Sequence, residues 1–296
     1  MTLKHHIEYT GVRLLMHIAG LLSPSRGVWI GERMGNLAFD LVRKRRDLVK
    51  QHLGRVFGNE YEPDALHKLA RNVYRQLGRL ATEHARLLAA ETTDIRDRIT
   101  VIGDDHVAQA RRQGKGVILV TGHFGYWELL GASVAALGYP MAVVAKDQHN
   151  PAVNALIIKG REKLGMKVIS MAAATHAIMR TLRRNECVGL LMDQDAGPGG
   201  TFVDFLGLEA STYQGPALFA LRSGAPIIPC FIIREGAERH RVVFESPIEA
   251  VPSGDETADI QRYTQAYTAV LERYVRMYPD HWFWVHRRWK TRPPAV

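Results

Sequence analysis

The sequence predicts an α/β fold, a sheet with helices packed on it, preceded by a helical N-terminal extension. Two observations carry this. From residue 99 onward, short apolar or β-branched runs alternate with longer segments at helical spacing, the pattern of successive βα units. Ahead of residue 90, apolar residues recur at three- and four-residue intervals with no strand-like run between them. No repeat, low-complexity segment or obvious linker interrupts the chain. The simplest division is a helical extension over residues 1–95 and an α/β core over 96–296.

In the extension, Ile7, Leu14, Leu15, Ile18 and Leu22 define a first amphipathic helix that ends near Ser23-Pro24. A second, over 28–42, carries Met34, Leu37, Ala38 and Leu41 and runs into Arg43-Lys44-Arg45-Arg46. After a turn at Gly58-Asn59, a third is expected from Pro63 to Ala90, with proline in its first turn. The first helix pairs an apolar face with nearby cations, the pattern of an interfacial membrane helix. Plain scaffolding ahead of the core is the alternative. Leu14 to Leu22 is too short to span a bilayer and is interrupted by His17. No signal peptide is visible.

In the core, strands are expected at Ile99–Ile102, Val117–Val120, Met141–Ala145, Lys167–Ile169, Val188–Met192, Pro226–Ile233 and Arg241–Glu245. Helices are expected at 104–113, 127–137, 151–164, 173–185 and 212–223, with a last one over about 257–278 ahead of an aromatic and basic tail.

At 296 residues, with 46% hydrophobic and 23% charged content, the chain is globular and long enough to bury a core. A net charge of +9 calls for an anionic partner: nucleic acid, anionic lipid or an acidic protein. Cys187 and Cys230 sit in apolar runs and read as inert buried thiols. There is no Gly-x-Ser-x-Gly elbow, no Walker loop and no dinucleotide fingerprint. His5-His6 and the pair His281 and His286 lack metal-ligand spacing, so neither metal nor cofactor is expected.

The stretch VILVTGHFGYWELLG, residues 117–131, holds the strongest chemical signal. Its strand breaks at Thr121-Gly122 and a helix begins near Tyr126, so His123 falls in the intervening turn and Glu128 in the first helical turns. On one helix, residues five apart point roughly 140° away from each other. From the turn, however, an imidazole can fold back toward the carboxylate, giving an oriented general base beside helix N-terminal amides. A satisfied turn histidine and a carboxylate complementing the helix dipole would produce the same letters. Gly122 and Gly125 let backbone approach a ligand closely.

Further candidates follow. Lys159, Arg161 and Lys163 share one helix, as phosphate ligands or as a solvated face. Asp193-Gln194-Asp195 follows an apolar strand and precedes a glycine-rich loop, where open α/β sheets build their sites, or else caps the next turn. Residues 202–207, FVDFLG, read as channel lining or core. HRRWKTRP, residues 286–293, follows Trp282, Phe283 and Trp284 and suits nucleic acid or a membrane interface alike.

Taken in order, GHFGYWELLG, the Arg161-to-Gly165 RxxxG, DQDAG, TFVDFLG with the downstream STYQGPALFALRSGAPIIP, and HRRWKTRP resemble the late, lauroyl/myristoyl-type acyltransferases of lipid A biosynthesis. These lie within the lysophospholipid/glycerolipid acyltransferase superfamily. The resemblance covers roughly residues 100–293, the N-terminal helices agreeing in character only. It implies a mixed sheet flanked by helices, glycerolipid acyltransferase-like. His123 and Glu128 would be the family's His-x4-Asp/Glu catalytic pair, His123 as general base and Glu128 fixing its tautomer. Arg161, Asp193 and Gly122 would serve substrate binding. The implied donor is an acyl carrier protein thioester or acyl-coenzyme A. The acceptor is an anionic glycolipid, most simply a lipid A precursor, with lysophospholipid and phosphatidylinositol mannoside as alternatives. The implied place is the cytoplasmic face of the inner membrane, held peripherally or by one N-terminal anchor helix, with no nucleic acid partner. A non-catalytic basic module that binds lipid is the reading from another class; it has no need of both His123 and Glu128.

Overall fold

The computed structural model describes residues 2–89 and 95–293. Four helices come first: α1 (Leu3–Leu21), α2 (Pro24–Leu41), α3 (Arg43–Phe57) and α4 (Pro63–Ala89). The expected end of the last at Ala90 lies outside the described residues. Helix α3 was not expected as an element of its own. Its cations Arg43, Lys44 and Arg45 are exposed, while Val49, His52, Leu53 and Phe57, spaced three and four apart, are buried. That stripe makes it an ordinary amphipathic helix whose charged first turn disguised it. Helices α2 and α4 cross in near backbone contact. A Cβ at Gly35 or Gly78 would drive into the carbonyl of Tyr74 or Gly31.

The rest of the chain alternates: β1 (Ile99–Ile102), α5 (Asp104–Arg112), β2 (Val117–Thr121), α6 (Trp127–Ala136), β3 (Met141–Ala145), α7 (Pro151–Lys163), β4 (Met166–Ser170), α8 (Ala174–Arg183) and β5 (Cys187–Leu191). A hairpin follows, β6 (Thr201–Phe205) and β7 (Leu208–Thr212), then α9 (Gly215–Ser223), β8 (Ile227–Arg234), β9 (His240–Phe244) and α10 (Glu256–Met277). The seven-stranded sheet runs β1-β9-β8-β2-β5-β3-β4, and β6-β7 form a separate two-stranded sheet. Strands β8, β2, β5, β3 and β4 are parallel, whereas β9 is antiparallel to β8. The sheet is therefore mixed and flanked by helices, as expected.

Residues 208–212, whose end was expected to start a helix, pair instead with β6 across a two-residue turn. Leu206 and Gly207 both hold positive φ there (59° and 76°), the geometry of a tight hairpin. Helix α9 begins only at Gly215-Pro216.

Strand β2 shows why its run is apolar throughout. Ile118 and Val120 join one core cluster, and Val117 and Leu119 the other, because successive side chains point to opposite faces and both faces are covered. The first cluster also takes Val49, Leu53 and Phe57 of α3, Val73 of α4, Tyr267 and Leu271 of α10, and Trp282 and Trp284. At the other end of the extension, Asn150 caps α7 by accepting from Ala152 N. Its Nδ2 donates to the His5 carbonyl (2.8 Å) and to Glu8 Oε2 (3.0 Å), tying α1 to that helix.

Candidate active site

The register of the sheet builds the site. Strands β2 and β5 are parallel with Thr121 opposite Leu191, and Met192 N donates to the Thr121 carbonyl at 3.1 Å. Two residues beyond each partner stand His123 and Asp193, side by side at the carboxyl ends of adjacent strands. Asp193 Oδ1 accepts from His123 Nδ1 at 2.8 Å, and Oδ2 accepts from the His123 backbone N–H, also at 2.8 Å. A third donor, the indole Nε1–H of Trp282, reaches Oδ2 at 2.8 Å. Gly122 packs against this carboxylate, since a Cβ there would come within 3.0 Å of Asp193 Oδ2 and of Leu271 Cδ1.

The carboxylate on the imidazole is thus Asp193, where the His-x4-Glu spacing had pointed to Glu128. Glu128, in the first turn of α6, is held by Arg161 of α7, whose Nε and Nη2 meet its two oxygens at 3.0 and 2.5 Å. This bidentate pair is largely shielded from water. Spacing along the chain relates only sequence neighbours, whereas the β2–β5 register brings a carboxylate from seventy residues away onto the imidazole.

Electrostatics follow from these contacts. Burial disfavours the imidazolium of His123, but the charge and hydrogen bond of Asp193, with Glu128 farther off, outweigh it and raise the pKa above its ordinary 6.5. Burial likewise opposes ionisation of Asp193, yet His123 and Trp282 hold its pKa below the usual carboxylate value. Arg161 does the same for Glu128 against burial. Both carboxylates are therefore anionic at neutral pH. With Nδ1–H committed to Asp193, Nε2 is the lone-pair nitrogen, and the Gln194 amide Nε2, at 3.4 Å, can donate to it.

His123, Glu128 and Arg161 line a cavity of about 450 Å³ that runs between α6 and the sheet. Much of its wall is apolar: Leu119, Leu130, Val134, Met141, Val143, Met166, Gly189 and Cys230. Lys146, Gln148, Gln194 and Tyr213 add polar groups to its lining. Burial pushes the Cys187 thiol up to about 12 and that of Cys230 upward too, so neither is a nucleophile. No group of three or more metal-ligating side chains occurs among the described residues.

The basic tail divides. Arg288 is buried, its Nη1 donating to the Ser211 carbonyl and its Nη2 to Thr212 Oγ1. Arg287 and Lys290 are exposed. The same segment braces the acidic loop: Asp195 N donates to His286 Nε2 at 3.1 Å, and Asp195 Oδ2 accepts from Thr291 Oγ1 at 2.9 Å. FVDFLG resolves into a strand and hairpin turn whose Val203, Phe205 and Leu206 are buried in the core while Asp204 and Gly207 are exposed. Trp282 and Phe283, the latter with its ring 5.8 Å from that of His123, carried no local signal tying them to the histidine.

A family model for bacterial lipid A biosynthesis acyltransferases matches residues 2–291. The chain is 26% identical, over 90% of its length, to a lipid A biosynthesis palmitoleoyltransferase of Escherichia coli (strain K12), covering 85% of that protein. To the lipid A biosynthesis lauroyltransferase of the same organism it is 26% identical, over 90% of this chain and 86% of that one. A phosphatidylinositol mannoside acyltransferase of Mycolicibacterium smegmatis is 26% identical over 81% of this chain and 78% of its own.

Proposed function

The chain belongs to the bacterial lipid A biosynthesis acyltransferase family and is an acyltransferase, and from that premise we propose that it moves a fatty acyl group from a thioester to a lipid A precursor with His123 as general base. The observation that carries this reading is a lone-pair nitrogen, His123 Nε2, at an apolar cavity with its opposite nitrogen fixed on a buried carboxylate. An acyl chain fits the apolar depth, leaving its thioester carbonyl beside the imidazole. The acceptor hydroxyl gives its proton to Nε2 as its oxygen attacks the carbonyl carbon. Amides in the first turn of α6 are suited to hold the tetrahedral oxyanion. Collapse breaks the carbon–sulfur bond, and the departing thiolate takes the proton from Nε2. Asp193 stabilises the transient imidazolium. Glu128 contributes a more distant negative charge and holds Arg161 at the cavity, as a cation for a donor or acceptor phosphate. Acyl carrier protein and coenzyme A present the same thioester, and the basic charge of the chain suits either, the one being an acidic protein and the other carrying phosphates.

The place of action in this reading is a membrane surface. No helix among the described residues is long and apolar enough to cross a bilayer. On α1, Leu3, Ile7, Leu14, Ile18 and Leu21 form one exposed apolar stripe, and Trp29, Met34, Leu37 and Leu41 are exposed on α2. Lys4, Arg13, Arg26 and Arg33 are exposed on the same two helices. Apolar side chains beside cations suit the boundary of an anionic bilayer.

The test is transfer in detergent from labelled acyl carrier protein or coenzyme A thioesters. Acceptors are a tetra-acylated lipid A precursor, lysophospholipid and a mannosylated phosphatidylinositol, with His123→Ala alongside. Transfer to the lipid A precursor that disappears in the variant is the expected result. Transfer to another acceptor would replace the substrate and keep the chemistry. Undiminished transfer by a folded His123→Ala protein would refute the base.

A further inference from the structure

The segment after α10 closes over the catalytic turn. Phe124 and Trp282 form an antiparallel bridge, Gly125 N donates to the His281 carbonyl at 2.9 Å, and Phe283 N donates to the His123 carbonyl at 3.0 Å. Between these two backbone bonds the Trp282 indole turns inward and donates to Asp193 Oδ2. Trp282 is 2% exposed, its ring set against Phe205, Trp284 and Trp289 at centroid distances of 5.2, 4.7 and 6.0 Å. The ring cannot swing away without opening that cluster, so the N–H is aimed by packing.

We propose that Trp282 is a positioning residue for acyl transfer: its indole N–H fixes the Asp193 carboxylate in the plane that serves His123 and shares the negative charge between indole and imidazole. This rests on the reading of His123 as the base. The chemistry is that of a buried carboxylate with three donors. Two come from His123 itself and move with the catalytic turn; only the indole is anchored elsewhere. Without it, Oδ2 keeps one backbone donor, and of the three donors none outside the catalytic turn is left to set the rotation of the carboxylate. Its charge also falls more fully on Nδ1–H, which favours the imidazolium and leaves less of Nε2 in the free-base form near neutral pH.

The experiment replaces Trp282 in the full-length protein by Phe and, by site-specific incorporation, by benzothienylalanine, which keeps the bicyclic shape but has sulfur in place of N–H. Trp284→Phe is the control. Its indole donates to the Pro279 carbonyl from the same cluster and does not reach Asp193. For both Trp282 variants kcat should fall roughly 10- to 100-fold, by analogy with the loss of hydrogen-bond partners that orient metal-bound histidines, with KM little changed. The acid limb of kcat/KM should move up by about half to one pH unit. Trp284→Phe should leave that limb in place even if it lowers the melting temperature. A benzothienylalanine protein with wild-type kcat and an unmoved acid limb overturns the proposal while His123→Ala still abolishes turnover. If His123→Ala retains turnover, the base itself is wrong and the positioning role falls with it.

Discussion

His123 and the two carboxylates near it divide their work by where they stand. Asp193 touches the ring, while Glu128 faces Arg161 and acts on the ring only through space. The histidine was legible because a strand-to-helix turn flanked by glycines is a local pattern. Its hydrogen-bonded partner was not, because the pairing depends on strand register, which no local spacing encodes. Arg161 was named for a phosphate, and its tie to Glu128 was equally invisible along the chain. The raised pKa of His123 has a definite sign in the kinetics. Only the neutral imidazole accepts a proton, so kcat/KM should climb with pH through a limb lying above the ordinary 6.5. Asp193→Asn removes the charge that stabilises the imidazolium. The limb should move to lower pH, opposite to the Trp282 variants, while the plateau falls on the order of 10²- to 10⁴-fold. A pH–rate profile checks both, and an upward shift for Asp193→Asn would contradict the pairing.

Helix α6 and strands β3 and β5 line the cavity that the proposed function assigns to the acyl chain. Gly189 in β5 lies on that wall, and a Cβ there would come within 2.5 Å of the Met141 terminal methyl, itself on the wall. Gly189→Ala should therefore push Met141 into the cavity and shorten the chain accepted. In a competition among decanoyl to palmitoyl thioesters, the preference between successive even-numbered chains should shift roughly tenfold toward the shorter. An unchanged chain-length profile with normal turnover would place the chain elsewhere. Elements of this kind were largely readable, since βα alternation marks strands and helices one at a time. Helix α3 was missed because its opening cations hid a regular apolar stripe. The β6–β7 hairpin was missed because its turn is Leu-Gly, outside the usual asparagine and aspartate signals.

Over the whole molecule, the conspicuous asymmetry is the apolar stripe on α1 and its neighbours on α2, set among exposed cations. Its composition was legible in the sequence, but its exposure depended on how α1 and α2 pack against α4. Leu14→Asp with Ile18→Asp should weaken binding to anionic vesicles by at least about tenfold in a flotation assay, because two apolar side chains are lost to the interface. Turnover of detergent-dispersed substrates should persist. Equal flotation of the variant would mean that this face does not meet the bilayer. The bridge between Phe124 and Trp282 carries a different consequence, one of timing. Asp193 and Trp282 are 89 residues apart. At roughly 5–20 residues per second, a ribosome takes about 4–18 s to travel between them. Through that interval β2 and β5 can pair and bring His123 to Asp193, yet the wall that steadies them has not been made. If His123 is the base and Trp282 its positioning residue, a nascent chain would hold His123 and Asp193 together and still turn over poorly until Trp282 had emerged.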